Sequence, residues 1–190
     1  MKLPIAIILT LVVLLVGCSK TAVIDEDQLQ ERNGVHYLVN DSIPYTGAAA
    51  SFYETGQKQS ESTYVEGKKQ GLFIRWYEKG QNLSESMYVD GIQQGVANSW
   101  YENGQKLSES KYVGGIQQGF ATYWYENGQK NSEKTYVDDK WHGTFTVWYE
   151  NGQKESEATY VDGTQQGLAT VWQENGQIFF ESNYVDGVAQ

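Results

Sequence analysis

Glutamate and serine recur at fixed intervals along this chain, and both residue types take part in catalysis. Paired carboxylates act as general acid and base when their surroundings separate their pKa values. A serine becomes a nucleophile when a neighbouring histidine activates it. The two columns, in which the residue returns every 24 positions, are Glu61, Glu85, Glu109, Glu133, Glu157 and Glu181, and Ser84, Ser108, Ser132 and Ser156.

The repetition itself argues against a catalytic site in either column. Equivalent glutamates have near-identical surroundings, so no pair is set apart as acid and base. A calcium ladder is a second interpretation of the column, but a solvated row of charge explains it more simply. The histidines, His36 and His142, do not recur beside the serines, and no cysteine accompanies them as a zinc ligand. We therefore predict that the protein is not an enzyme and that it binds no metal and no cofactor.

Tryptophan recurs with the same period, and its functional interpretation is open. Regularly spaced aromatic side chains can form a core, present a protein-binding stripe, or stack against sugar rings. We take the tryptophan column as the candidate binding surface, with these alternatives unresolved at this stage. Its members are Trp76, Trp100, Trp124, Trp148 and Trp172.

The elements that position these columns follow from the repeat. From Gly47 to Gln190 the chain divides into six units of 24 residues, which is the signature of a repeat array. Runs rich in aromatic and β-branched residues alternate with Asn-Gly and Asp-Gly turn signals, as at Asn103-Gly104 and Asp90-Gly91. The pattern predicts an all-β fold, an antiparallel β-hairpin repeat ribbon or solenoid of six 24-residue units.

The turn chemistry predicts the register of each hairpin. A two-residue type I′ turn at Asn-Gly, together with a four-residue loop that begins at Asp-Gly, leaves two nine-residue strands. Under this register the tryptophan and glutamate columns share one face of the sheet. The serines share the other face with two tyrosine columns, represented by Tyr77 and Tyr88. We expect the serine–tyrosine face to pack inward as the ribbon curls.

The N-terminal segment predicts export. Residues 1–17 combine a lysine with a long apolar run, as in a signal peptide. Leu15-Val16-Gly17-Cys18 resembles a bacterial lipobox, which implies that residues 1–17 are removed and that Cys18 is the site of lipid attachment. The resemblance places the protein in the bacterial cell envelope, and Ser19 implies the outer membrane where there are two membranes. The alternatives are an uncleaved membrane anchor and an ordinary secretory signal.

Two further segments precede the repeats. Residues 18–32 are mostly polar, and we predict a flexible tether in which a short helix around Asp25 to Arg32 is an alternative. Residues 33–46 predict an N-terminal cap strand that closes the first edge of the array, which spans residues 47–190.

The recurring phrase W-Y-E-N-G-Q-K-x-S-E-x-x-Y-V-D-G resembles the short bacterial variant of the MORN repeat. The stretches Arg32-Asn33-Gly34 and Pro44-Tyr45-Thr46-Gly47 are similar to the entry of YwqK-like antitoxins. This resemblance implies a hairpin ribbon that works as an interaction surface, and it makes a protein the expected partner.

The charge balance narrows the range of partners. There are 24 acidic and 14 basic residues, for a net charge of -10, which argues against nucleic acid and against docking on anionic lipid. We expect membrane contact through the lipid anchor only. The predicted function is a non-catalytic envelope lipoprotein that binds a protein partner, in an antitoxin, immunity or scaffold role. Alternatives are a glycan- or cell-wall-binding aromatic module and a spacer of set length.

Overall fold

The computed structural model describes residues 22–190 and shows an all-β ribbon of hairpins, which confirms the predicted fold. The strands are β1 (Ile24–Asp25), β2 (Leu29–Arg32), β3 (Val35–Leu38), β4 (Gly47–Phe52), β5 (Lys58–Val65), β6 (Lys68–Lys69), β7 (Gly71–Trp76), β8 (Asn82–Val89), β9 (Ile92–Trp100), β10 (Lys106–Val113), β11 (Ile116–Trp124), β12 (Lys130–Val137), β13 (Lys140–Trp141), β14 (Gly143–Trp148), β15 (Lys154–Val161), β16 (Thr164–Trp172), β17 (Ile178–Val185) and β18 (Val188–Ala189). The predicted signal peptide and Cys18 lie outside the described residues.

Sixteen strands form one sheet, in which the long strands from β4 to β17 pair antiparallel in chain order. The strands β2 and β3 form a separate two-stranded sheet. We number the repeat units one to six from their first residues, which are Gly47, Gly71, Gly95, Gly119, Gly143 and Gly167. Within residues 22–190 we find no helix with the length and apolar character needed to cross a bilayer.

The two turns of each unit are exchanged relative to the prediction. The Asp-Gly pair is the two-residue turn: Val89 pairs with Ile92, and Asp90 and Gly91 have φ of 51° and 80°. The Asn-Gly loop is longer, because β9 ends at Trp100 and β10 begins at Lys106. The prediction of a type I′ turn at Asn-Gly was therefore wrong, and the strands of the repeats differ from the predicted nine-residue pair.

The asparagine side chain supports this longer loop, which Thr55-Gly56 and Lys79-Gly80 also adopt without it. Asn103 Oδ1 accepts a hydrogen bond from the Gln105 amide at 2.8 Å, and Asn103 Nδ2 donates to the Glu126 carbonyl at 3.1 Å. These bonds favour a turn in which only the following residue, Gly104, has a positive φ. The glycine amide then donates to the Tyr101 carbonyl at 2.9 Å and closes the loop.

The first tyrosine column joins neighbouring units. Tyr101 lies in the loop, and its hydroxyl donates to the carbonyl of Trp124 in the next unit at 2.8 Å. The same bond, at 2.7 to 2.8 Å, is made by Tyr53, Tyr77, Tyr125 and Tyr149 to the carbonyl of the tryptophan one unit later. The prediction that the Tyr77 column shares a face with Tyr88 was thus wrong, because a loop residue belongs to neither face.

The two faces of the sheet otherwise follow the predicted register. We call one the groove face and the other the tryptophan face. The groove face contains the columns of Ala49, Ser51, Ser60, Ser62 and Tyr64 with their equivalents in later units, and the tryptophan face contains the tryptophan and glutamate columns. Most buried side chains of the repeats lie on the groove face. Ala49 and Tyr64 of the first unit are fully buried, but the N-terminal cap covers them. The expectation that the serine–tyrosine face packs inward as the ribbon curls stays a prediction.

The N-terminal cap is larger than the predicted cap strand. Residues 24–32, predicted as a flexible tether, form β1, a 3₁₀ helix (Glu26–Gln28) and β2. β1 pairs parallel with β4, with Ile24 opposite Ala49, so it covers the outer edge of the first unit. The tether prediction failed for residues 24–32 because local polarity does not reveal backbone pairing with a distant edge strand.

Candidate functional site

A groove of about 440 Å³ lies on the groove face between the second and fourth units. Its floor and walls are contributed by Phe73, Arg75, Ser84, Ser86, Tyr88, Gln93, Ala97, Asn98, Ser99, Ser108, Ser110, Tyr112 and Tyr123. Small side chains form this hollow, since the serine and alanine columns leave space beside the tyrosine column. The site therefore presents hydroxyl groups at an open surface.

Hydrogen bonds order the hydroxyl groups of the groove. Ser99 Oγ and Ser108 Oγ lie 2.6 Å apart, across strands β9 and β10. Arg75 Nε donates to Ser84 Oγ at 3.0 Å, which holds the guanidinium over the groove face while the residue stays exposed. Burial raises the pKa of Tyr112 above its ordinary value, so its phenol keeps its proton to a higher pH than an exposed tyrosine does.

The charge of the groove face is opposite in sign to the net charge of the chain. The groove-face columns of residues 47–190, together with the neighbouring column of Lys69 and Trp141, contain the cations Lys69, Arg75 and Lys134 and no aspartate or glutamate. An anionic ligand would therefore meet positive charge without a competing carboxylate on the groove face of the repeats.

An aromatic cluster closes the C-terminal end of the groove. Lys134 Nζ lies 5.1 Å from the ring centre of Trp141, 5.2 Å from that of Tyr123 and 5.7 Å from that of Phe145. Trp141 also packs edge-on against Tyr160, with ring centres 5.2 Å apart. The cluster covers the fourth unit, where Ala121 is fully buried.

The cap fills the equivalent surface of the first unit. Glu26 projects from the 3₁₀ helix, and its carboxylate accepts hydrogen bonds from Ser60 Oγ at 2.9 Å and from the Tyr64 hydroxyl at 3.3 Å. His36 packs against Tyr64 at a tilt, with ring centres 4.7 Å apart. The first unit therefore shows one ligand that the serine–tyrosine surface accepts, a carboxylate supplied by the chain itself.

Burial raises the pKa of Tyr64 to about 12, and the neighbouring Glu26 carboxylate acts in the same direction. Because the folded pKa lies above the ordinary value of about 10, this phenol stabilises the cap fully below pH 10. We predict that this stabilisation, of order 2 kcal/mol, is lost as the pH rises from about 10 to about 12. Denaturant unfolding of the wild type at several pH values measures the loss.

Tyr64→Phe is the control for this prediction. Its stability at pH 7 reports the loss of the hydrogen bond to Glu26, and its change above pH 10 should be smaller than that of the wild type. Equal pH dependence in the two proteins would contradict the assignment of the loss to Tyr64.

The predicted binding column has a repeated arrangement on the tryptophan face. The five tryptophans are half-buried, and Lys106 Nζ lies 5.5 Å from the ring centre of Trp124 while it pairs with Glu109. The same arrangement joins Lys58 to Trp76, Lys130 to Trp148 and Lys154 to Trp172. Most of the column is therefore engaged by lysines from the preceding unit. Its assignment as the binding surface stays a prediction.

The other candidate residues are spread along the ribbon. The glutamates lie on the tryptophan face, and the serines lie on the opposite face, so the two columns do not meet. His36 belongs to the cap, and His142 lies 3.7 Å from the Asp162 carboxylate at the edge of the sheet. Within residues 22–190 no three histidine, cysteine or acidic side chains converge as a metal site would require.

Arg75 in the groove, and Lys134 and Trp141 in the cluster beside it, were not among the residues predicted from the sequence. Their signal is a departure from the repeat, since Lys134 replaces the serine or alanine that every other unit has at that position. A residue that differs from the repeat indicates a binding site only when the face of the sheet on which its column lies is known. That face was uncertain from the sequence, because the two turns of each unit were exchanged.

The profile of the MORN repeat variant matches residues 45–66, 93–113, 117–138, 141–162 and 165–186, which together are more than half of the chain. The chain belongs to the MORN repeat variant family. The second unit lies between the first two matches, and its β7–β8 hairpin has the same pairing as the matched MORN units.

Similarity to individual known proteins adds little to the family assignment. No curated protein matches the chain. Among solved structures, the crystal structure of the GtfA/B complex bound to UDP and GlcNAc is similar over 66% of this chain and 22% of that one, at 10% identity and a TM-score of 0.23. This MORN-repeat chain therefore spans less than a quarter of that protein, and a likeness at this TM-score carries no functional argument.

Proposed function

We propose that this chain is a non-catalytic lipoprotein of the bacterial cell envelope whose MORN ribbon binds a protein partner. The observation that carries the proposal is the open groove, where ordered hydroxyls and an exposed guanidinium face solvent on an otherwise acidic protein. The MORN repeat is generally a binding unit rather than a catalytic one, which agrees with this reading.

The proposed location rests on the sequence of the N-terminus. Cys18 is the proposed lipid attachment site, with residues 1–17 removed and the outer membrane as the destination in a two-membrane cell. The similarity to YwqK-like antitoxins suggests an immunity role against a secreted toxin, and a scaffold role is the alternative for the same groove. Labelling with a palmitate analogue tests the anchor. The wild type should be labelled and sediment with membranes, whereas Cys18→Ala should be neither labelled nor sedimented.

Capture from an envelope lysate of the source organism tests the protein-binding function. We expect one protein retained at a stoichiometric ratio, and its identity would distinguish a toxin from a scaffold component. Retention of polysaccharide without protein would contradict the proposal and favour a glycan-binding module. An empty column would favour a spacer whose length follows repeat number.

The tryptophan column provides a second readout for the same capture. Trp100→Ala with Trp124→Ala should abolish retention of wall polymer if the column stacks on sugar rings. If the double variant retains the protein partner as the wild type does, the tryptophans stabilise the sheet and do not bind the partner. Loss of the partner with an unchanged circular dichroism spectrum would instead make the column the binding surface.

A further inference from the structure

The third unit repeats the cap-binding surface of the first unit without a change of residue. In the first unit that surface comprises Ala49, Ser51, Ser60, Ser62 and Tyr64, and in the third unit the same positions are Ala97, Ser99, Ser108, Ser110 and Tyr112. No other unit matches the first at all five positions. The two surfaces have the same residues, the same strand register and the same face of the sheet.

The hydrogen bonds within the two surfaces also correspond. Ser51 Oγ and Ser60 Oγ lie 2.7 Å apart in the first unit, and Ser99 Oγ and Ser108 Oγ lie 2.6 Å apart in the third. In the first unit Ser60 also donates a hydrogen bond to the Glu26 carboxylate. Ser108 is placed to donate in the same way.

The difference between the two surfaces is the occupant. The cap leaves Tyr64 and Ala49 with no exposed surface, whereas Tyr112 and Ala97 are only half-buried and line the groove. Among the described residues, none supplies a carboxylate to the hydroxyls of the third unit. A surface that binds a glutamate in one unit is thus open in another.

A positive charge adjoins the open surface. Arg75 lies in the same groove, and its bond to Ser84 orients the guanidinium while leaving its other nitrogens free to bind an anion. A guanidinium favours carboxylates, because its parallel N–H groups match the two oxygens. Arg75 also lies opposite Ser60 across β5 and β7, but its bond to Ser84 turns the guanidinium away from the Glu26 site and toward the third unit.

We propose that the third unit and Arg75 bind a glutamate side chain of an acidic segment in the protein partner. The partner carboxylate accepts from Ser108 Oγ and the Tyr112 hydroxyl as Glu26 does from Ser60 and Tyr64, and Arg75 contributes the opposite charge. The inference rests on the proposed protein-binding function and specifies where and how that binding occurs. The expected segment is acidic and short, since the cap reaches the first unit with a single turn of 3₁₀ helix.

The probe is a fluorescein-labelled peptide with the sequence of residues 22–32, which contains Glu26 and its acidic neighbours. Fluorescence anisotropy measures its binding to the full protein purified in detergent. We expect saturable binding that weakens at least fivefold when the peptide carries Glu26→Gln, because the neutral amide loses hydrogen bonds that the charged carboxylate accepts. It should weaken by a similar factor in the protein variant Ser108→Ala with Tyr112→Phe, and also in Arg75→Gln.

The matched control is Ser156→Ala with Tyr184→Phe, which changes the same two columns in the fifth and sixth units outside this groove. Binding should be unchanged in this control. If the peptide binds the Ser108→Ala, Tyr112→Phe protein as tightly as the wild type, or if Glu26→Gln has no effect, the proposal is overturned. Unchanged circular dichroism spectra of the variants exclude loss of fold as the cause of weaker binding.

Two further outcomes distinguish a failure of the groove assignment from a failure of the proposed protein-binding function. If the captured partner binds the Ser108→Ala, Tyr112→Phe protein with unchanged affinity, protein binding stands and the groove assignment falls. If sedimentation shows a dimer that the same variant dissociates, the occupant is the cap of a second copy, and the assignment to another protein is overturned.

Discussion

Replacement of Gly67 by alanine is expected to detach the cap from the first unit. Gly67 has a φ of +76°, and a Cβ there would lie 2.4 Å from Val35 Cγ1 and 2.7 Å from the His36 carbonyl oxygen. The same residue makes two of the bonds that dock the cap, since its amide donates to Tyr45 and its carbonyl accepts from His36. Left-handed strain of about 1 to 2 kcal/mol is thus joined by overpacking of about 1 to 3 kcal/mol.

Gly91→Ala is the matched control for this substitution. Gly91 occupies the equivalent turn position with a φ of +80°, but its nearest neighbour for a Cβ is Lys68 Cβ at an ordinary 3.7 Å. Gly91→Ala should therefore be destabilised only by the left-handed backbone strain at the turn, without overpacking. Hydrogen exchange should show faster exchange of residues 24–45 in Gly67→Ala and not in Gly91→Ala. Equal protection of the cap in both variants would contradict its docking through this turn.

Deletion of one residue within a strand is expected to destabilise the protein more than deletion of a whole unit. Removal of residues 95–118 joins equivalent positions of the second and fourth units and preserves both faces. Removal of Ser110 alone shifts the alternation of every later residue relative to β9, which directs glutamates and tryptophans toward the groove face. The cost should be at least about 4 kcal/mol, because buried positions such as Ala121 would be vacated.

Circular dichroism melts of the two deletions test this expectation. The whole-unit deletion should unfold cooperatively within about 5 °C of the wild type, and small-angle scattering should show a ribbon shorter by about 10 Å, the width of two strands. The single-residue deletion should melt far lower or fail to fold. A wild-type melt for the single-residue deletion would mean that the bulges absorb the shift and that the register is not decisive.

Local rules predicted much of the ribbon and failed at its turns. Alternation of side chains and the even period are properties of the backbone pleat, so six hairpins and the separation of serines from glutamates followed from spacing alone. The Asn-Gly loop did not follow, because Asn-Gly fits both a two-residue turn and this longer loop. The same backbone bonds close the loop at Thr55-Gly56 and Lys79-Gly80, so the asparagine does not select it.

The sequence by itself determined the fold class, the repeat boundaries and the family. The tertiary structure decided which of the recurring serines are buried and which line the open groove. Whether a serine is buried, like Ser60 under Glu26, or open, like Ser108, depends on the cap that precedes the first unit and folds back over it. The two serines are indistinguishable within their repeats. Their difference arises because a terminal unit must cover its exposed edge, whereas an internal unit is covered by its neighbours and keeps one face free.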